Sequence, residues 1–171
     1  MDADSYQACE LCPRRCKARR ASGRAGFCGM TSELRVARSA LHFWEEPPIS
    51  GEAGSGAIFF SGCPLRCVFC QNHEISGEGF GLPVTRSRLS EMMLELEAQG
   101  ALNINLVTAL HYAPDVRQAV LDARAAGLTL PIVCNTSGYE NPEVVRAMAD
   151  VVDVWLPDFK YADPTLAGSL S

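Results

Sequence analysis

Seven of the eight cysteines in this 171-residue chain fall into two tight groups. Cys9, Cys12, Cys16 and Cys28 form the first, Cys63, Cys67 and Cys70 the second, and Cys134 stands alone. The first residues carry no apolar segment of the kind that begins a secretory signal. The thiols therefore read as reduced ones in a cytoplasmic protein. Metal binding or catalysis is the expected use, rather than a disulfide framework.

The second group is the sharper of the two. Gly62-Cys-Pro-Leu-Arg-Cys-Val-Phe-Cys-Gln-Asn72 spaces three thiols as C-x3-C-x2-C directly after a short apolar strand candidate, Ala57 to Phe60. Three thiolates on one loop can converge on a soft metal centre, and zinc and iron–sulfur chemistry both suit them. The count separates the two. Closed zinc sites and ferredoxin clusters use four ligands, whereas three cysteines on a cubane cluster leave one iron open. A zinc knuckle completed by His73 or by a distant residue is the alternative.

The first group has the ligand count of a closed site, spaced C-x2-C-x3-C-x11-C, with Gly23, Gly26 and Gly29 permitting a tight chain path. Zinc and a second iron–sulfur cluster both fit this spacing. Either would stabilise a segment too short to build a core of its own.

Charge divides the chain in the same place. Residues 1–40 hold eight basic and four acidic side chains, and the remainder seven and sixteen. The expected organisation is a basic cysteine-rich module over 1–32, a connector over 33–56 and an α/β unit over 57–171. The run Arg14, Arg15, Lys17, Arg19 and Arg20 reads as a solvated face, one that could also dock an acidic partner. An overall net charge of −5 argues against a general nucleic-acid binder. No apolar run approaches the length of a membrane span.

Beyond residue 56 the pattern alternates. Ala57–Phe60, Asn103–Thr108, Pro131–Cys134 and Val151–Leu156 read as buried strands. Between them Leu89, Met92, Met93 and Leu96 form one helical stripe, ended by Gly100, and Val116, Ala119, Val120 and Ala123 another, ended by Gly127. Asn141 and Pro142 read as cap and first turn of a third helix, and Asp163-Pro164 starts a fourth. Strand and helix in this order give a parallel sheet with right-handed crossovers. Cys134, inside a strand, reads as a small apolar filler. His42 and His73 read as structural.

The string Phe59-Phe-Ser-Gly-Cys-Pro-Leu-Arg-Cys-Val-Phe-Cys-Gln-Asn72, with Phe69 before the last cysteine, resembles the radical S-adenosylmethionine (SAM) enzymes. Within them it is similar to the pyruvate formate-lyase activating-enzyme-like branch. His42-Phe-Trp-Glu-Glu-Pro47, Asn103-Ile-Asn-Leu-Val107 and Leu156-Pro-Asp-Phe-Lys-Tyr161 resemble one uncharacterised iron–sulfur subgroup of that branch.

The resemblance implies a [4Fe–4S] cluster on Cys63, Cys67 and Cys70, whose open iron binds SAM. It implies reductive cleavage to a 5′-deoxyadenosyl radical and an oxidoreductase or lyase activity. Phe69 would lie near the adenine. Asn135, Thr136 and Ser137 match a segment that meets SAM's polar groups, and Asp158 and Lys160 match an Asp-x-Lys pair on the fourth strand. At the second strand end many relatives place Gly-Gly-Glu, where this chain has Ala109-Leu-His111; His111 is a candidate cofactor contact or a plain structural residue. The implied partners are a protein whose glycine would become a glycyl radical and a reductant such as flavodoxin or ferredoxin. A small-molecule or other protein substrate is the alternative, and a non-catalytic iron–sulfur or zinc module is a different class.

The implied fold is a partial (β/α) barrel of radical SAM type. Such cores have six βα units and four are visible, so the expectation is a C-terminally incomplete barrel. Its fourth strand should then present an unpaired edge.

Overall fold

The structure, a computed structural model, describes residues 3–171. Its centre is a six-stranded sheet in the order β3-β1-β2-β4-β5-β6. Four strands are the expected parallel ones: β2 (Ser55–Phe60), β4 (Ile104–Val107), β5 (Ile132–Thr136) and β6 (Val154–Pro157). The apolar runs of β2, β4 and β5 make them interior strands, with Ile58, Leu106 and Cys134 in register across the three and fully buried. The last strand starts later than its apolar run, because Val151 and Val152 are spent in the buried turn that precedes it.

The segment expected as a connector does more than connect. Arg35–His42 forms β1, antiparallel to β2 in the register Ala40 to Ala57, and Leu82–Pro83 forms β3 against β1. These two strands extend the sheet on the side away from β6. Among the described residues nothing pairs with the outer edge of β6, so the unpaired fourth strand is as expected.

Helices cover the sheet as the stripes require. α1 (Pro47–Ser50) and α2 (His73–Ser76) are single turns. α3 (Arg86–Ala98) is capped by Thr85, whose hydroxyl accepts from the Arg88 N–H, and buries Leu89, Met93 and Leu96. α4 (Ala113–Ala125) carries Pro114 in its first turn and buries Val116, Ala119, Val120 and Ala123. α5 (Pro142–Met148) and α6 (Pro164–Leu170) follow β5 and β6. Asn141 does not cap α5 with its side chain; its amide instead donates to the Glu10 carbonyl at 2.6 Å, tying the N-terminal segment to the α/β unit. No helix among the described residues is long and apolar enough to cross a membrane.

Residues 3–34 contain two short 3-10 turns, Ala3–Tyr6 and Arg20–Ser22, and no strand. They are pinned to the α/β unit by side chains. Tyr6 donates to Asp115 in the first turn of α4 at 2.8 Å. Arg14 donates to the carbonyls of Pro64 and Leu65 at 3.0 and 3.3 Å, and Arg66 returns a hydrogen bond to the Phe27 carbonyl at 3.3 Å. The basic run is therefore not simply a solvated face. Arg15, Lys17 and Arg19 are exposed, Arg14 is half-buried against the cysteine loop, and Arg20 is wholly buried.

Candidate active site

All four parallel strands end on one rim, where the functional groups of βα folds collect. Beyond β2 the chain turns through Gly62 into the three-cysteine loop. Gly62 has φ +80°, and a Cβ there would collide with Met30 Cγ and stand 2.7 Å from the Cys28 carbonyl. Only glycine lets the loop leave the strand so close to the N-terminal segment. Arg66, just before Cys67, also holds a left-handed conformation at φ +57°. Burial pushes the Cys63 thiol up, while hydrogen bonds from the backbone at Arg66 and Leu65 favour the thiolate. The Ser76 hydroxyl donates to the Cys70 sulfur at 3.3 Å, a contact of the kind that would tune a cluster ligand.

These cysteines open onto a cleft of about 630 Å³. The sequence-derived residues Phe69, Asn135, Thr136, Ser137, Asp158 and Lys160 line it together with Cys63, Cys67 and Cys70. The β5–β6 rim is brought together by Gly138, at φ +74°, where a Cβ would meet the Asp158 carbonyl at 2.5 Å. Lys160 donates to the Asp158 carboxylate. Burial works against the Lys160 charge, but the Asp158 contact outweighs it and holds the ammonium above its ordinary value. Thr108, at the end of β4, lines the cleft with φ +56°, an uncommon conformation for a β-branched residue. Local strain of this kind clusters at functional sites.

His111 does not line the cleft. It is buried, its Nε2 bonds the Ser61 carbonyl at 2.9 Å, and its Nδ1 has no hydrogen-bond partner among the described residues. Because a carbonyl only accepts, Nε2 carries the proton. Burial, with the Arg20 charge, pushes its pKa down to about 3, so the ring is neutral. Cys134 is buried in β5, and its thiol is pushed up to about 12 by burial, as suits an inert filler. His73 is exposed and pairs with Glu78 at 2.9 Å.

Sequence reasoning missed one wall. Arg38 and His42 from β1, with Trp44 and Glu45 beyond it, also line the cleft. Asn105 in β4 donates to the Glu45 carboxylate at 2.7 Å, while burial and the neighbouring Glu46 push that carboxyl above its ordinary range. The signal was the string from His42 to Pro47, which carried a resemblance but no assigned role.

Among the described residues, no three His, Cys, Asp or Glu side chains converge closely enough to hold a single metal ion. A cubane cluster distributes its thiolates over separate irons, so a half-buried set facing one cleft fits it.

The comparisons with known proteins agree with this geometry. The Radical SAM superfamily profile matches residues 57–167. The uncharacterised protein MJ0674 of Methanocaldococcus jannaschii is 28% identical, over 97% of this chain and 49% of its own length. The chain thus spans about half the length of that curated relative. No solved structure matches.

Proposed function

The chain belongs to the radical SAM superfamily, and we propose that it performs radical chemistry of the activating-enzyme-like kind at the cleft described above. The observation that carries this reading is the meeting of three thiols with the polar ends of β5 and β6 in one cavity of about 630 Å³, a size that suits a cofactor. Bound there, a [4Fe–4S] cluster and SAM would supply one-electron reduction and radical hydrogen-atom abstraction, chemistry that belongs to the cofactors.

The residues of the chain do the rest. Cys63, Cys67 and Cys70 would hold the cluster, and Ser76 steadies the Cys70 sulfur. Asp158 and Lys160 place one anion beside one cation, the complement of an amino-acid end carrying both an ammonium and a carboxylate. Asn135, Thr136 and Ser137 offer amide and hydroxyl groups to the same end. Phe69 packs edge-to-face on Tyr161 with ring centroids 6.0 Å apart, which steadies it as an apolar wall for the adenine.

The substrate is read as a polypeptide, with a backbone glycine as hydrogen donor. Support comes from the exposed apolar rim. Trp44 is 90% exposed and Phe69 56%, both on the cleft, and Phe159 between Asp158 and Lys160 is 85% exposed. A rim of this kind suits a chain laid across it better than a small polar molecule. The exposed Arg15, Lys17, Arg19 and Arg24 offer a basic face to an acidic reductant such as flavodoxin or ferredoxin.

Anaerobic reconstitution with iron and sulfide, followed by SAM and dithionite, tests the reading. 5′-Deoxyadenosine should form with the wild-type chain and fall to background with Cys67→Ala. A fully reconstituted wild-type chain that leaves SAM intact would sink it.

A further inference from the structure

We propose that Cys9, Cys12, Cys16 and Cys28 hold a second metal centre, a tetrathiolate zinc ion or iron–sulfur cluster, with Arg20 as its buried counter-charge. The inference does not rest on the radical chemistry proposed for the cleft.

Arg20 is the starting point. It is the largest of the fully buried side chains, at 0% exposure, in a segment with almost no regular structure. Its guanidinium lies over the rings of Tyr6 and Tyr112, 4.9 and 5.2 Å from their centroids. Nε donates to the Met30 and Thr31 carbonyls at 3.1 and 3.2 Å, and Nη2 to Thr31 at 2.8 Å. Nη1 donates to the His111 carbonyl at 2.5 Å and to the Cys9 sulfur at 3.5 Å. Every oxygen it meets is an uncharged carbonyl. Among the described residues it makes no ion pair with a carboxylate.

A buried cation without a counter-ion is costly, and proteins resolve the cost by pairing it. The acceptor on Arg20 that can become anionic is a thiol. A single thiol sulfur is only a weak acceptor for a guanidinium. Four thiolates around a metal behave differently. They outweigh the charge of a zinc ion or of an oxidised cluster core, so the loaded centre is anionic and the guanidinium beside it is paired.

The other ligands sit where this requires. The Cys16 and Cys28 sulfurs flank one spot, each 3.5 Å from where Gly26 would carry a Cβ, and the Arg20 stem touches the same spot at 3.4 Å. Arg15 and Lys17, on either side of Cys16, hold φ +40° and +53°. The chain accepts two left-handed residues to turn this one side chain back. Cys9 and Cys28 are buried, Cys12 is half-buried and Cys16 is exposed. As they stand no three of them close on one ion, so loading draws in the two more accessible members or spreads all four over a cluster. The exposed Cys16 edge is the entry path.

The test uses the full chain with Cys63, Cys67 and Cys70 all changed to Ala, purified anaerobically and offered zinc, or iron with sulfide. Elemental analysis should find about one zinc or about four irons per chain, and which of these it finds identifies the centre. Adding Cys12→Ser and Cys16→Ser should abolish the binding. Less than roughly a tenth of a metal per chain under both loadings overturns the site. If the triple variant does not fold, Cys16→Ser in the wild-type chain serves instead, and it should remove the same increment of metal. The counter-charge is tested by metal release to a chelator. Arg20→Gln should speed release at least about 10-fold, while Arg20→Lys, which keeps the charge, stays near wild type. Equal acceleration by both would overturn that role and leave Arg20 a packing residue.

Discussion

Cys63, Cys67 and Cys70 hang from the end of β2, a strand paired on both sides, whereas Cys9, Cys12, Cys16 and Cys28 sit in a segment with two 3-10 turns and no strand. The difference decides what each group can do. A loop on a finished sheet can stay open to a cavity, because its position does not depend on its ligands. A segment without a core of its own depends on side-chain pins and, on the reading above, on a metal. The two groups then meet at one seam, where Gly62 touches Cys28 and Arg14 and Arg66 exchange hydrogen bonds with the opposite backbone.

Breaking that seam should have the largest effect. Gly62→Val forces a side chain into Met30 and the Cys28 carbonyl at a left-handed φ. The expected loss is about 3 kcal/mol or more, read as a shift in urea midpoint. Gly23 is also left-handed, at φ +83°, but faces open space, so Gly23→Val isolates the backbone cost alone. Equal losses at the two positions would mean that the seam is not closely packed.

The next effect reads the seam through acid. His111 sits on it, holding the Ser61 carbonyl with its ring and receiving Arg20 on its own carbonyl. Its pKa is lowered from 6.5 to about 3 on folding, by burial first and Arg20 second. Between those values the unfolded chain binds a proton that the folded chain refuses. Stability therefore falls as pH drops through 6.5 and goes on falling towards pH 3. In the metal-free protein, wild type should lose about 3 kcal/mol more than His111→Gln between pH 7.5 and 4.5. Parallel acid slopes in urea titrations would remove His111 from the seam's energetics.

How far the two regions were legible in the sequence follows from the same difference. The three-cysteine loop and the strands β2, β4 and β5 announce themselves because a buried parallel strand must be continuously apolar. β1 does not. Its residues Arg35-Val-Ala-Arg-Ser-Ala-Leu-His42 are mostly half-buried, and the Pro- and Gly-rich stretch after it favours a loop reading. With β1 went Arg38, His42, Trp44 and Glu45 of the cleft. Arg20 was illegible for another reason. Five basic residues in seven positions resemble any solvated face, and which of them turns inward depends on Tyr6, Tyr112 and the His111 carbonyl, the last two some ninety residues away. The strand ends of β5 and β6 were readable, because their polar groups follow apolar runs and topology sends them to one rim.

The smallest effect separates the seam's hydrogen bonds from its packing. Arg14 lies between two N-terminal cysteines in sequence and grips two carbonyls of the other cysteine loop, with its guanidinium 4.1 Å from the centre of the Phe27 ring. Arg14→Ala should cost about 1 kcal/mol in urea denaturation, since two part-buried carbonyls lose a charged donor. Arg88, paired with Glu91 and Glu95 on the exposed face of α3, makes more ion contacts, yet Arg88→Ala should cost less. Solvent screens that pair and replaces its hydrogen bonds, whereas water has poor access to the carbonyls of the buried Pro64 and Leu65. Arg14→Ala should also speed loss of iron from the Cys63 loop to a chelator while leaving the amount of N-terminal metal unchanged. That outcome would show that the two groups are coupled through the backbone of the loop rather than through a shared ligand. Loss of metal from both groups together would show that neither keeps its shape without the other.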